Sequence, residues 1–202
     1  MSISYPLSLP EVKSKVITLG IDFNSAISSN PYTFEQDIQE HSGDRWKLTV
    51  SLPPMARADA AKWFAFLLSL KGILGTFTAG DPLAASPLGS ALGTPLVNGS
   101  NAAGSNTLNT KGWDVSETGV LKKGDYIQIG THLHFVLNDV DSDGSGEATI
   151  DIVPRLRETK ADDTVIVTED TQAVFRLDDN SVTYTAGEDK YYQITFSAFE
   201  AL

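Results

Sequence analysis

Ile17, Leu19, Ile21 and Phe23 alternate with polar or small residues, the two-residue period of a half-buried strand. Asn30-Pro31 then marks a turn. Tyr32, Phe34 and Ile38 fall on one face of a second strand, and His41-Ser42-Gly43-Asp44 reads as a connecting turn. Trp46, Leu48, Val50 and Leu52 then alternate with Arg45, Lys47, Thr49 and Ser51. Residues 32–52 are therefore expected to form a hairpin, apolar on one face and polar on the other.

Pro53-Pro54 stops this pattern and favours a helix start. Residues 56–71 have helical composition, with Trp63, Phe64, Phe66, Leu67, Leu68 and Leu70 among alanines, and Gly72 follows as the expected C-cap. Asp59, Lys62 and Ser69 share one stripe, which also holds Phe66. A helix apolar almost all round is normally covered on more than one side. A sheet on one side and a second subunit on the other would satisfy it, with Trp46, Trp63, Phe66 and Leu70 as the interface candidates.

Residues 81–110 contain no aromatic side chain and one charge, Asp81. Their Ala, Gly, Ser, Asn and Pro content predicts a linker or long surface loop, with room for short strands. A β meander follows, with candidate strands at 126–129, 132–137, 147–153 and 164–168, and Phe175 and Leu177 continue the pattern. Regular short strands suggest a small barrel or sandwich. Tyr192, Ile194, Phe196 and Ala198 alternate with polar residues as a last strand, whose natural partner is the sheet of the first third. The expected organisation is a mainly β chain with one helix: a domain of residues 1–80 plus 179–202, a linker at 81–110, and an inserted small β domain at 111–178.

Composition narrows the chemistry. The 202 residues carry 15 Lys and Arg against 26 Asp and Glu, a formal charge of −11. That argues against an electrostatic nucleic-acid binder, which needs a basic face. There is no Cys, so disulfides, Cys-based zinc sites and thiol nucleophiles are excluded. The segment Met1–Pro10 lacks the basic and apolar regions of a signal peptide. The longest apolar run, Trp63–Leu68, is six residues, far below the roughly 20 of a membrane-spanning helix. A soluble protein made in the cytoplasm is expected.

Candidate sites are few. Asp139-Val140-Asp141-Ser142-Asp143-Gly144 matches the opening of an EF-hand calcium loop. Its twelfth position is Ile150 where a bidentate Glu belongs, although Glu147 offers a substitute. The alternative is a polar hairpin loop in which Asp, Ser and Gly supply turn geometry. His132 and His134 share a strand face, but zinc needs three or four ligands, and the remaining histidine, His41, sits in a distant turn. There is no G-x-S-x-G elbow and no phosphate-binding G-x-x-x-x-G-K-[ST]. Arg155 and Arg157, flanking Leu156, suit either a partner's carboxylate or the local acidic excess. Trp63, Phe64 and Phe66 would stack on sugar if exposed, but helical spacing favours core or interface.

Several phrases together resemble a known family. Gly43-Asp44-Arg45-Trp46, Pro53-Pro54-Met55, the helix with Trp63, Leu70-Lys71-Gly72, Thr76-Phe77 and Gly80-Asp81-Pro82 resemble the front half of bacteriophage tail-tip proteins. Asp125-Tyr126-Ile127, Asp143-Gly144-Ser145-Gly146, Ile152-Val153-Pro154-Arg155-Leu156-Arg157 and Phe175-Arg176-Leu177 resemble their inserted domain, and Tyr192–Leu202 is similar to their closing strand. The family is the distal tail protein, or a related minor tail protein, of siphophage-type phages. The resemblance implies a tail-tube-like β-sandwich or split barrel with one helix, carrying a small β domain. It further implies a homohexameric ring in the virion, assembled in the host cytoplasm, between the tail tube protein and the hub and tape-measure proteins of the tip. DNA would pass through the ring without specific binding. There would be no catalytic residues, no cofactor and no membrane contact. In some relatives the inserted domain binds host carbohydrate, for which Trp113 and Tyr126 are the candidates here. The competing readings are a carbohydrate- or cell-surface-binding β module and a small β-rich hydrolase.

Overall fold

The computed structural model describes residues 3–11, 16–187 and 190–202. In chain order the elements are β1 (Leu7–Ser8), β2 (Val16–Ser29), β3 (Gln36–Ser51), α1 (Arg57–Leu70), β4 (Thr76–Ala79), β5 (Gly93–Val97), β6 (Thr107–Trp113), β7 (Tyr126–Ile129) and β8 (His132–Val136). They continue as β9 (Ala148–Val153), β10 (Ile166–Val167), β11 (Ala173–Leu177), β12 (Thr185–Ala186), β13 (Tyr192–Gln193) and β14 (Thr195–Glu200). Among the described residues the chain is mainly β with one α-helix, in two six-stranded sheets and a two-stranded pair, β12-β13. One six-stranded sheet is a half-barrel ordered β1-β4-β11-β14-β3-β2, and the other a nearly closed barrel ordered β10-β7-β8-β9-β6-β5. A bridge from Leu96 to Val165 brings the barrel's two edges together. Among the described residues no helix is long and apolar enough to cross a membrane.

The alternation of the first third does what its period requires. Ile17, Leu19 and Ile21 pair with Val50, Leu48 and Trp46, and this face packs under α1. Trp63 meets Phe196, and Phe66 meets Phe77 edge-on at 5.7 Å. The closing strand β14 lies inside the sheet, between β11 and β3, as its apolar alternation predicts. The left-handed cap of α1 falls on Lys71 (φ 53°) rather than on Gly72, and its N–H bonds the Leu68 carbonyl.

The hairpin turns elsewhere than expected. Its strands are β2 and β3, and its tip is residues 30–35. Asn30 closes that tip: its main chain exchanges hydrogen bonds with Phe34 and Glu35, and its side chain accepts the Tyr32 N–H at 2.9 Å. His41–Asp44 runs within β3, where the register shifts between Asp22 and Asn24. Gly43 there marks a close cross-strand approach, since a Cβ would stand 2.9 Å from the Asn24 amide nitrogen.

Sheet membership also differs from the expected segmentation. β5 and the start of β6 fall inside 81–110 and belong to the barrel, with Val97 and Leu108 fully buried. Short strands do occur in this stretch, but they pair β5 with β6 and β6 with β9, so this part of 81–110 is built into the barrel rather than linking two domains. β11, expected within 111–178, lies in the half-barrel between β4 and β14. The outgoing and returning connections cross at Gly80, where a Cβ would stand 2.1 Å from the Thr171 carbonyl oxygen.

Candidate interaction surface

Beyond the register shift, β3 pairs with β2 alone, because β14 covers it only from Lys47 to Ser51. The hairpin thus runs on as a two-stranded ribbon. Paired residues in an antiparallel ladder share a face, so Ile27 and Ile38 lie side by side. Both are exposed, as is Phe23. At the tip Tyr32 is 91% exposed and Phe34 83%. Phe34 has φ 57°, an uncommon conformation for a bulky residue. The tip thus holds two aromatic rings in water by its own hydrogen bonds. Extended exposed apolar surface of this kind marks an interaction site, and β2 is also the outer strand of its sheet among the described residues.

The four interface candidates sit elsewhere. Trp46, Trp63, Phe66 and Leu70 are all buried in the chain's own core. Trp46 comes from β3, and Trp63, Phe66 and Leu70 come from the face of α1 turned to the half-barrel; Phe66 is buried there although it shares a row with Asp59, Lys62 and Ser69. The outward face of α1 shows Ala61, Ala65 and Leu68, with Phe64 half-buried beside Tyr184 at 4.6 Å between rings. The hairpin and a second exposed side of the helix are expected from the sequence; the residues that form those surfaces are Ala61, Ala65 and Leu68 on α1 and the exposed apolar residues of the ribbon. The expected hairpin has an apolar face, but period alone does not say that Tyr32, Phe34 and Ile38 stand in solvent on it.

The ligand candidates are likewise engaged. Trp113 is 4% exposed in the barrel core, and its Nε1 donates to Thr110 Oγ1 at 2.8 Å. Tyr126 packs between Trp46 and Phe135, with centroids 5.9 and 5.2 Å away. Burial and the Asp81 carboxylate hold its hydroxyl above the ordinary phenol value. Neither ring offers an open platform for sugar.

The acidic loop binds amides. Asp139 Oδ1 accepts from Lys123 N, Asp141 Oδ1 from Gly119 N, and Asp143 Oδ1 from the Ser145 and Glu147 N–H groups. Amide donors, Glu147 first, hold the Asp143 carboxyl below its usual range. Among the described residues no three His, Asp or Glu side chains gather as a metal site. The calcium reading of Asp139, Asp141, Asp143 and Glu147 therefore gives way to turn geometry.

Arg155, Arg157 and His132 converge at the junction between the sheets, on this chain's own carboxylates. Arg157 Nη2 lies 3.1 Å from Glu200 Oε2, and Arg155 Nε lies 3.3 Å from Asp44 Oδ1. Arg155 also pairs with Glu40 at the root of the ribbon. His132 Nδ1 lies 3.2 Å from Glu200 Oε1. Glu200 further accepts the Trp46 N–H, while the Trp46 indole donates to the Leu133 carbonyl at 2.7 Å. Burial opposes charge on Glu200, but His132, Arg157 and Trp46 outweigh it and leave the carboxyl below its ordinary value. The cluster pins half-barrel to barrel and is spent on that task.

No protein-family model matches the chain, and no curated protein matches it.

Proposed function

We propose that this chain is a structural virion subunit. It would form a ring at the distal end of a siphophage-type tail, joining the tail tube to the hub of the tip and leaving a channel for DNA. The observation that carries the reading is the ribbon: a long, strand-paired projection whose apolar side chains are left exposed among the described residues. An assembly subunit needs such a surface, because each cyclic contact joins one patch to a different patch on the next copy until the ring closes. The mainly β fold with one helix packed on a half-barrel suits the tube-like subunit that the sequence phrases resemble. A charge of −11 per copy suits a channel through which phosphate must slide without sticking.

Light scattering on the purified chain, with negative-stain images of the same peak, tests this. The expected result is a species of six subunit masses that images as rings with a central hole. A monomer across the whole concentration range would count against it.

A further inference from the structure

We propose that the ribbon of one copy lies along the outer stripe of α1 in the next copy, a head-to-tail contact between two surfaces that each chain carries but cannot itself join. This rests on the assembly reading above and names the two surfaces that would meet.

The ribbon is the acidic, apolar half of the contact. Phe23, Ile27, Ile38 and the two tip rings are exposed. Between Val16 and Asp44 there is no Lys or Arg, while Asp22, Glu35, Asp37 and Glu40 are all present. Glu40 is taken by Arg155. Asp22, Glu35 and Asp37 form no ion pair among the described residues.

The stripe on α1 is the basic, apolar counterpart. Arg57, Ala61, Phe64 and Leu68 follow one another at spacings of four, three and four, which places them on one helix face, and Lys71 follows as the left-handed cap at the helix end. The apolar middle is bounded by a cation at each end. Lys62, on another row, is already held by Asp59 at 3.0 Å, whereas Arg57 and Lys71 form no ion pair among the described residues. Tyr184 stands beside Phe64 as a wall.

Length and charge favour a second copy as the occupant. From Phe23 to Ser29 a strand covers about 20 Å, and from Arg57 to Leu70 a helix covers about 20 Å. Two chains of charge −11 repel overall, so stable self-contact needs a local match of opposite sign. The stretch 57–71 holds three cations against one carboxylate, an island of the sign that the ribbon lacks.

The absence of Cys makes a clean test possible. Phe34→Cys, Leu68→Cys and Ala61→Cys are made singly in the full chain, at exposed positions. Phe34→Cys is then mixed with each of the other two under mild oxidation. The expected product is a disulfide-linked pair containing one of each. A companion variant, Arg57→Glu with Lys71→Glu, is expected to weaken self-association about tenfold or more. Mixing it with Glu35→Lys plus Asp37→Lys should restore association. Unchanged far-ultraviolet circular dichroism shows that each variant is folded.

If the wild type assembles but the charge reversals leave it untouched, the ribbon-to-helix contact is wrong and the assembly reading stands. If only Phe34-to-Phe34 links form, the contact is symmetric and the proposal is likewise overturned. A monomeric wild type with no crosslink overturns both.

Discussion

His134 ties the stability of the junction to pH through a single ring. Its Nδ1 lies 2.7 Å from the Pro154 carbonyl oxygen. A carbonyl only accepts, so Nδ1 carries the hydrogen and Nε2 is left as a buried lone pair without a partner among the described residues. Burial pushes the ring's pKa from 6.5 down to about 4, against the Pro154 carbonyl and Glu200, which favour the proton; His132 and Arg157 oppose it. The sign follows from linkage. Between those two values the unfolded chain binds a proton that the folded chain refuses, so stability rises with pH there. On acidification from 6.5 to 4 this group removes on the order of 3 kcal/mol. Glu200, whose carboxyl is depressed, loses stability in the same direction at lower pH. His134→Gln should therefore be less stable at pH 7, having lost a fitted ring, yet should fall less steeply between pH 6.5 and 4. Urea unfolding at both pH values checks this; equal slopes for variant and wild type would assign the acid sensitivity elsewhere.

At the scale of the element, α1 begins without a side-chain cap. Ala56 occupies the N-cap position with extended backbone (φ −67°, ψ 156°) and offers no oxygen to the first turn. Ala56→Ser places a hydroxyl where it can accept the Asp59 N–H and should stabilise the chain by about 1 kcal/mol. For a chain of this size that raises Tm by about 2–4 °C, and a thermal melt that does not move would show that the first turn is held by other contacts. The helix itself was legible, since its period and Pro53-Pro54 are local signals. So was the pairing of β14 with the front sheet. The tip of the hairpin was not, because Asn30-Pro31 and His41–Asp44 compete as turns. Gly43 reads as a turn residue although it serves a close approach between strands. Period alone could not say that Phe175 and Leu177 belong to the half-barrel, for a two-residue alternation is the same in either sheet. The sequence asks for a second covered side on α1 but points to Trp63, Phe66 and Leu70 for it, because two alanines carry little signal beside large apolar side chains.

In the whole molecule, the two sheets meet at a seam where a buried charged group lies beside an apolar contact of Leu133, Tyr126 and Phe135 with the half-barrel core. Each sheet has its own cluster of buried residues. Between them lie Leu133, the Trp46 indole, and the group Glu200, Arg157, His132 and Asp44. Removing one partner of a buried ion pair leaves the other charge uncompensated and costs about 3–5 kcal/mol. Glu200→Gln does this while keeping the side chain's shape, and the loss falls on the seam rather than on either core. The three tryptophans report on the three places: Trp63 on the half-barrel core, Trp113 on the barrel core, and Trp46 on the seam. In versions of the chain that keep one tryptophan and carry Phe at the other two positions, wild-type fluorescence should report a single shared unfolding midpoint. With Glu200→Gln added, the Trp46 signal should change at lower urea than the other two, because the sheets part before either core opens. If all three signals instead shift together, the seam is an integral part of one cooperative core, and the two sheets have no independent existence on unfolding.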